Sequence, residues 1–92
     1  METSKALLKS YLAARMKARR ELLLLSQEAM AETLSITPRA YGDLERGKYC
    51  VSTLVFLLLL CQMGDADILS LVGDARRIVF HLGTEDSGNE SC

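Results

Sequence analysis

Few side chains in this 92-residue chain have the types and the spacing that catalysis or metal binding requires. Glu28 and Glu32 stand four residues apart, as two carboxylates on one helical face would, but no histidine lies near them to complete an acid–base pair. His81 is the single histidine, and the three cysteines are not spaced from it or from one another as zinc ligands are. We therefore expect no enzyme, no metal and no cofactor, and we expect reduced thiols in a cytoplasmic protein.

Basic side chains are a second source of chemistry, and they are concentrated in one half of the chain. Residues 1–49 hold nine lysines and arginines against six acidic residues, whereas residues 50–92 hold two against six. The formal net charge of −1 thus conceals a cationic half and an anionic half. The cationic half offers contacts to phosphates, although the near-neutral total predicts only modest affinity for nucleic acid of random sequence.

The apolar pattern predicts an all-α chain, because helical spacing recurs and no segment alternates as a strand does. Leu8, Leu12 and Met16 mark the apolar face of a first helix, and two leucine-rich helices are expected at about 53–63 and 67–82. The last of these has Asp65 or Asp67 as its expected N-cap residue. We expect one domain over residues 5–82 and a flexible, disordered tail at 83–92.

Two short helices between these longer ones carry the sharpest local signals. Ser26 is an N-cap residue for a helix over about 26–34, and Thr37 is one for a helix over about 38–45. Pro38 suits the first position of the second helix, and Gly47 suits the position just after its end. Two short capped helices with a tight connection predict a helix-turn-helix.

Residues 25–48 resemble the XRE family of helix-turn-helix proteins, which includes Cro and the phage repressors. The segment LSQEAMAETL at 25–34, the turn Ile36-Thr37 and the segment LERGK at 44–48 match the family's pattern in the correct order. The resemblance extends over about residues 6–72. It implies a five-helix, lambda-repressor-like domain that binds DNA.

The resemblance also implies a set of DNA-contacting residues. In this set Arg39 and Asp43, on the second motif helix, would contact bases, and Gln27 would bind a phosphate. Arg20, on the first helix, would contact a phosphate or form a structural ion pair. The complete set is Arg20, Gln27, Thr37, Pro38, Arg39, Asp43, Arg46 and Lys48.

This chain departs from the family's pattern at the turn and on the second motif helix. Ser35 stands where a glycine is usual, which predicts a strained or adjusted backbone. Pro38 and Gly42 bring no hydrogen-bonding side chain to a face that we expect to be exposed together with Asp43. On this face the Asp43 carboxylate could only accept a hydrogen bond from a cytosine amino group or pair with Arg39. We therefore expect base readout to depend mainly on Arg39.

The leading hypothesis is a sequence-specific transcriptional regulator, a repressor, that binds double-stranded DNA with helix 38–45 in the major groove. We expect a homodimer through the Leu54–Leu60 and Ile68–Leu82 helices, with no membrane and no small-molecule ligand. The alternative is a protein-interaction or antitoxin-like module on the same fold, in which DNA readout is weak or lost. The acidic half and the leucine-rich helix motivate that alternative.

Overall fold

A computed structural model describes residues 4–82. Within this part of the chain lie five α-helices and no strand: α1 (Ser4–Leu22), α2 (Gln27–Thr33), α3 (Pro38–Glu45), α4 (Thr53–Cys61) and α5 (Asp65–Leu82). The all-α fold and the order of its helices are confirmed. The tail expected at 83–92 lies outside the described residues.

The helix starts confirm most of the predicted caps. The side chains of Ser26, Thr37 and Ser52 accept hydrogen bonds from the backbone N–H three residues later, as N-cap residues do. The start of α5 differs from the prediction, because Asp65 and Asp67 both lie inside its first turn. There their carboxylates face the positive end of the helix dipole instead of capping it.

The ends of α1, α2 and α3 share one hydrogen-bond pattern. After each helix the chain takes a left-handed residue, which is Leu24 after α1, Ser35 after α2 and Gly47 after α3. In each case that residue and the next one donate to carbonyls of the last helical turn, which is a Schellman motif. The strained backbone expected at Ser35 is therefore confirmed, with φ at 60°.

The core forms where α1, α2, α3 and α4 meet. Its fully buried members are Met16, Met30, Ala31, Leu34, Tyr41 and Leu59. Partly buried side chains from the loops, including Leu25 and Ile36, pack against this cluster. Because α2, its C-cap residue Leu34 and α3 contribute four of the six core residues, burial fixes the two motif helices against each other and against α1.

Polar contacts attach α5 to α1. The Tyr11 hydroxyl donates to Asp74 at 2.6 Å, and Arg15 reaches the same carboxylate at 3.3 Å. Arg19 donates to the carbonyl of Gln62 at 2.6 Å and pairs with Asp67 at 3.2 Å. These contacts engage Arg15 and Arg19, two of the six basic residues of α1.

Two further observations concern the described residues as a set. No helix there is long and apolar enough to cross a membrane. Cys61 is a free, exposed thiol, but Cys50 is disulfide-bonded, which corrects the expectation that every cysteine is reduced.

Candidate nucleic-acid interface

The α2–turn–α3 unit is fixed locally at both of its helix starts. The Ser26 hydroxyl accepts from the N–H of Ala29 at 3.0 Å, and the Thr37 hydroxyl accepts from the N–H of Ala40 at 3.1 Å. Pro38 takes the first helical position, where its missing N–H leaves no hydrogen bond unmade. The start of α3 therefore lies at the surface in one defined orientation relative to α2.

Glu45 joins this unit to α1. Its carboxylate accepts from Arg20 at 2.6 and 3.3 Å and from the Gln27 side-chain amide at 3.0 Å. The remaining terminal nitrogen of Arg20 donates to the carbonyl of Leu25 at 3.0 Å. The Glu45 side chain is only 4% exposed, so one buried carboxylate fixes the position of both Arg20 and Gln27.

The network keeps Glu45 ionised and Tyr41 protonated. Burial by itself would raise the pKa of Glu45, but hydrogen bonds, first from Arg20 and then from Tyr41 and Gln27, hold that pKa below its usual value of 4.5. Burial raises the pKa of Tyr41, and hydrogen bonding to Glu45 raises it further. The Tyr41 hydroxyl accordingly remains a donor, and it also lies 3.3 Å from the carbonyl oxygen of Met16.

Gly42, on α3, makes room for the polar side chains of Gln27 and Arg46. A Cβ at this position would lie 3.3 Å from a terminal nitrogen of Arg46 and 3.6 Å from the side-chain oxygen of Gln27. Gly42 is buried, so the expectation that it faces outward is wrong. Its lack of a side chain serves the packing of Gln27 and Arg46 instead of contact with a ligand.

The exposed surface of the motif is formed by the start of α3 and the segment after its end. Thr37, Pro38 and Arg39 are all exposed at the start. Among residues 4–82 Arg39 has no hydrogen-bond or ion-pair partner, so its guanidinium is available to a ligand. Beyond the helix, Lys48 is exposed with its ammonium 5.4 Å from the centre of the Tyr49 ring.

Asp43 lies differently from the expectation. The residue is 8% exposed, and its carboxylate pairs with Arg46, the C-cap residue of α3, and not with Arg39. The Arg46 side chain itself remains 64% exposed. Asp43 therefore orients Arg46 and partly neutralises it.

Arg20 also lies apart from the exposed surface. Its three guanidinium nitrogens are all engaged, with Glu45 and with the carbonyl of Leu25. Of the two roles implied for it, the structure shows the structural ion pair. Tyr41 is fully buried and belongs to the core.

Sequence reasoning missed the part that Glu45 plays. Arg20 and Glu45 are 25 residues apart, so no helical spacing connects them. A signal was nevertheless present, because a glutamate near the end of α3 lies at the helix terminus where the dipole disfavours a negative charge. An acidic residue in that position needs a cationic partner, and the first helix supplies one.

A capped helix, a tight turn and a second helix with an exposed cationic start together define a helix-turn-helix domain of the DNA-binding class. A family model described as helix-turn-helix matches residues 16–67, which is more than half of the chain. The protein belongs to this family, in its XRE type, and is a DNA-binding helix-turn-helix regulator. No curated protein and no solved structure matches the chain.

Proposed function

We propose that this protein is a sequence-specific transcriptional repressor that inserts α3 into the major groove of double-stranded DNA. The observation that carries the proposal is the exposed guanidinium of Arg39 in the first turn of α3, which has no partner among residues 4–82. The N-terminal part of a recognition helix is the part that reaches base edges. Bidentate donation from an arginine to guanine O6 and N7 discriminates against other bases by about 1–3 kcal/mol.

The surrounding polar groups suit contacts to the sugar–phosphate backbone. Gln27 lies at the first position of α2 and is hydrogen-bonded to Glu45. The Thr37 hydroxyl accepts a hydrogen bond as the cap of α3, so its proton can still be donated to a phosphate. Arg46 and Lys48 add positive charge beyond the end of α3. In our proposal these four residues orient the domain on DNA, and Arg39, beside Pro38, supplies the sequence readout.

Repression follows from DNA binding by the simplest physical route. A domain that occupies a promoter excludes other proteins from the same DNA, and no additional chemistry is needed. We place the protein in the cytoplasm, together with its target DNA.

We further propose that the repressor is a homodimer. The second half of the described chain exposes large apolar side chains on α4 and α5, namely Leu54, Leu57, Leu58, Leu69, Val72, Val79 and Phe80. Exposed apolar surface of this extent is typical of an interaction site, and a symmetric dimer would bury the same face on both copies. Two copies of α3 would then read half-sites spaced by about one turn of DNA, roughly 34 Å.

A binding selection tests the proposal directly. The protein is mixed with a pool of random duplexes, and bound sequences are recovered and compared at a low and a moderate salt concentration. We expect recovery of a sequence motif with guanine at a fixed position in each half-site. Recovery of random sequences would refute sequence-specific readout.

The same exposed leucines support a second candidate, a protein-interaction or antitoxin-like module with weak or lost DNA readout. The two functions differ in the gel-shift result. A regulator shifts selected DNA at low salt, whereas an interaction module shifts no fragment there.

A further inference from the structure

A pocket between α1 and the segment that follows α3 takes no part in the DNA-binding proposal. Its volume is about 150 Å³, and its apolar lining comes from Leu8, Leu12, Met16, Leu44 and Val51. An apolar cavity of roughly 150 Å³ is large enough to hold benzene. The pocket therefore has room for one aromatic ring or for a short alkyl chain of similar volume.

Positive charge lies beside this apolar lining. Lys5 and Lys9, one helical turn apart on α1, both line the pocket. Lys9 has no ion-pair partner among residues 4–82, and no aspartate or glutamate is among the described residues that line the pocket. An ammonium group at the edge of a low-dielectric cavity favours an anionic group close to it.

We propose that this pocket binds a small monocarboxylate with an apolar body, such as a single ring, and that the carboxylate pairs with Lys9. A neutral ligand of the same size would gain binding free energy only from the burial of its apolar surface. A cationic ligand would be repelled by the ammonium group of Lys9. The site thus selects by charge sign as well as by size.

The pocket shares residues with the elements that the proposed function uses, so occupancy would regulate DNA binding. Leu44 forms part of the lining and directly precedes Glu45, the residue that holds Gln27. Tyr49 also lines the pocket and contacts Lys48. A ligand pressing on Leu44 displaces α3 relative to Gln27, and we expect it to lower the affinity for DNA. This regulatory step rests on the proposed function, whereas the pocket itself does not.

The site is tested first without DNA. ¹⁵N-labelled full-length protein is titrated with phenylacetate and, separately, with benzylamine, which has a similar ring and the opposite charge. We expect saturable shifts of amide signals around Leu12, Leu44 and Val51 with phenylacetate alone. Equal binding of benzylamine, or no saturable shift, would overturn the proposal.

Two lysine variants assign the carboxylate contact. Lys9→Gln is expected to weaken phenylacetate binding about tenfold, since it removes a charge-assisted hydrogen bond. Lys17→Gln removes the same charge from an exposed position of the same helix that does not line the pocket, and it should leave phenylacetate binding unchanged. Equal weakening by both substitutions would overturn the pairing with Lys9.

The regulatory step has its own readout. Saturating phenylacetate is expected to raise the Kd of the selected DNA, and by linkage that DNA should weaken phenylacetate binding by the same factor. Phenylacetate binding with an unchanged Kd for DNA would refute the regulatory step but not the proposal that the pocket binds a monocarboxylate. A protein that binds phenylacetate but no DNA would refute the proposed function alone.

Discussion

At the scale of single residues, the charged side chains divide into those that hold the fold and those that stay available to a ligand. Arg20 is taken up by Glu45, and Arg46 is partly neutralised by Asp43. Arg39 is exposed and has no hydrogen-bond or ion-pair partner among residues 4–82. The proposed interface thus depends on a small number of free cations, which accords with the formal net charge of −1.

The Glu45 network predicts a specific loss of stability in acid. Because the pKa of Glu45 is lower in the folded protein than in the unfolded chain, its stabilising effect is complete above its usual pKa of 4.5 and is lost as the pH falls through the folded value. Glu45→Gln should lower the free energy of unfolding by about 2 kcal/mol at pH 7, since charged hydrogen bonds are lost. Urea unfolding from pH 7 to pH 3 measures this difference, which should shrink below pH 4.5. The exposed Glu28→Gln variant is the control, and equal behaviour of the two variants would argue against the network.

Lys48 should contribute to DNA binding through salt-dependent contact and not through sequence readout. We expect Lys48→Ala to weaken binding to selected and random DNA by similar factors. The slope of log K against log salt concentration should fall in magnitude by about 0.9, as for the loss of one phosphate contact. Fluorescence anisotropy over a salt series measures the slope, with Lys17→Ala as a matched control on α1. An unchanged slope would remove Lys48 from the interface.

At the scale of elements, one C-terminal motif occurs three times. The helices α1, α2 and α3 each end in a Schellman motif. Only the third of these ends has the glycine that the motif favours, at Gly47. Leu24 and Ser35 adopt the same left-handed conformation at the cost of contacts with their own Cβ atoms. The sharp turns that separate the first three helices therefore store some backbone strain.

Relief of this strain gives a prediction at the turn of the motif. Ser35→Gly should raise the free energy of unfolding by about 0.5–1 kcal/mol, because the strain of a left-handed residue exceeds the entropy that glycine loses on folding. Gly47→Ala should lower the free energy of unfolding by a similar amount, since it introduces the same strain. Thermal unfolding compares both with the wild type. A destabilising Ser35→Gly substitution would show that the serine side chain contributes more than its strain costs.

The helix starts were predictable from sequence and the tertiary pairings were not. Ser26, Thr37 and Gly47 act through neighbours within a few residues, so their types alone identify the bounds of α2 and α3. Asp43 was assigned to the wrong side of α3 because an eight-residue helix with few apolar residues leaves its rotation weakly defined. The pairing of Arg20 with Glu45 joins distant segments, and local spacing carries no information about it.

At the scale of the whole molecule, two surfaces of different character lie in successive parts of the chain. The cationic surface belongs to the start of α3 and the segment after it, and the exposed apolar surface belongs to α4 and α5. A domain of this size buries a limited fraction of its apolar surface by itself. Association through the apolar surface would leave the cationic surface of each copy free for DNA.

Dimer formation through α4 and α5 is a prediction that sedimentation equilibrium tests. Leu54 and Leu69 are among the most exposed leucines of these helices, and a charge at either position would have to be buried in the dimer. We expect Leu54→Lys and Leu69→Lys each to shift the protein to monomer without loss of helical circular dichroism. Leu24→Lys is the control, because Leu24 is 91% exposed and lies outside both helices. Dimers that persist in both variants would place the interface elsewhere.

The central claim is that Arg39 reads sequence from the start of α3, and one comparison of affinities tests it most directly. The affinity for the selected duplex is divided by the affinity for a random duplex, in wild type, in Arg39→Ala and in Arg76→Ala, which removes an exposed arginine from α5. The account predicts that Arg39→Ala lowers this ratio about tenfold or more, as expected for a lost bidentate contact to guanine, while Arg76→Ala leaves it unchanged. An Arg39→Ala ratio equal to that of the wild type would contradict the account.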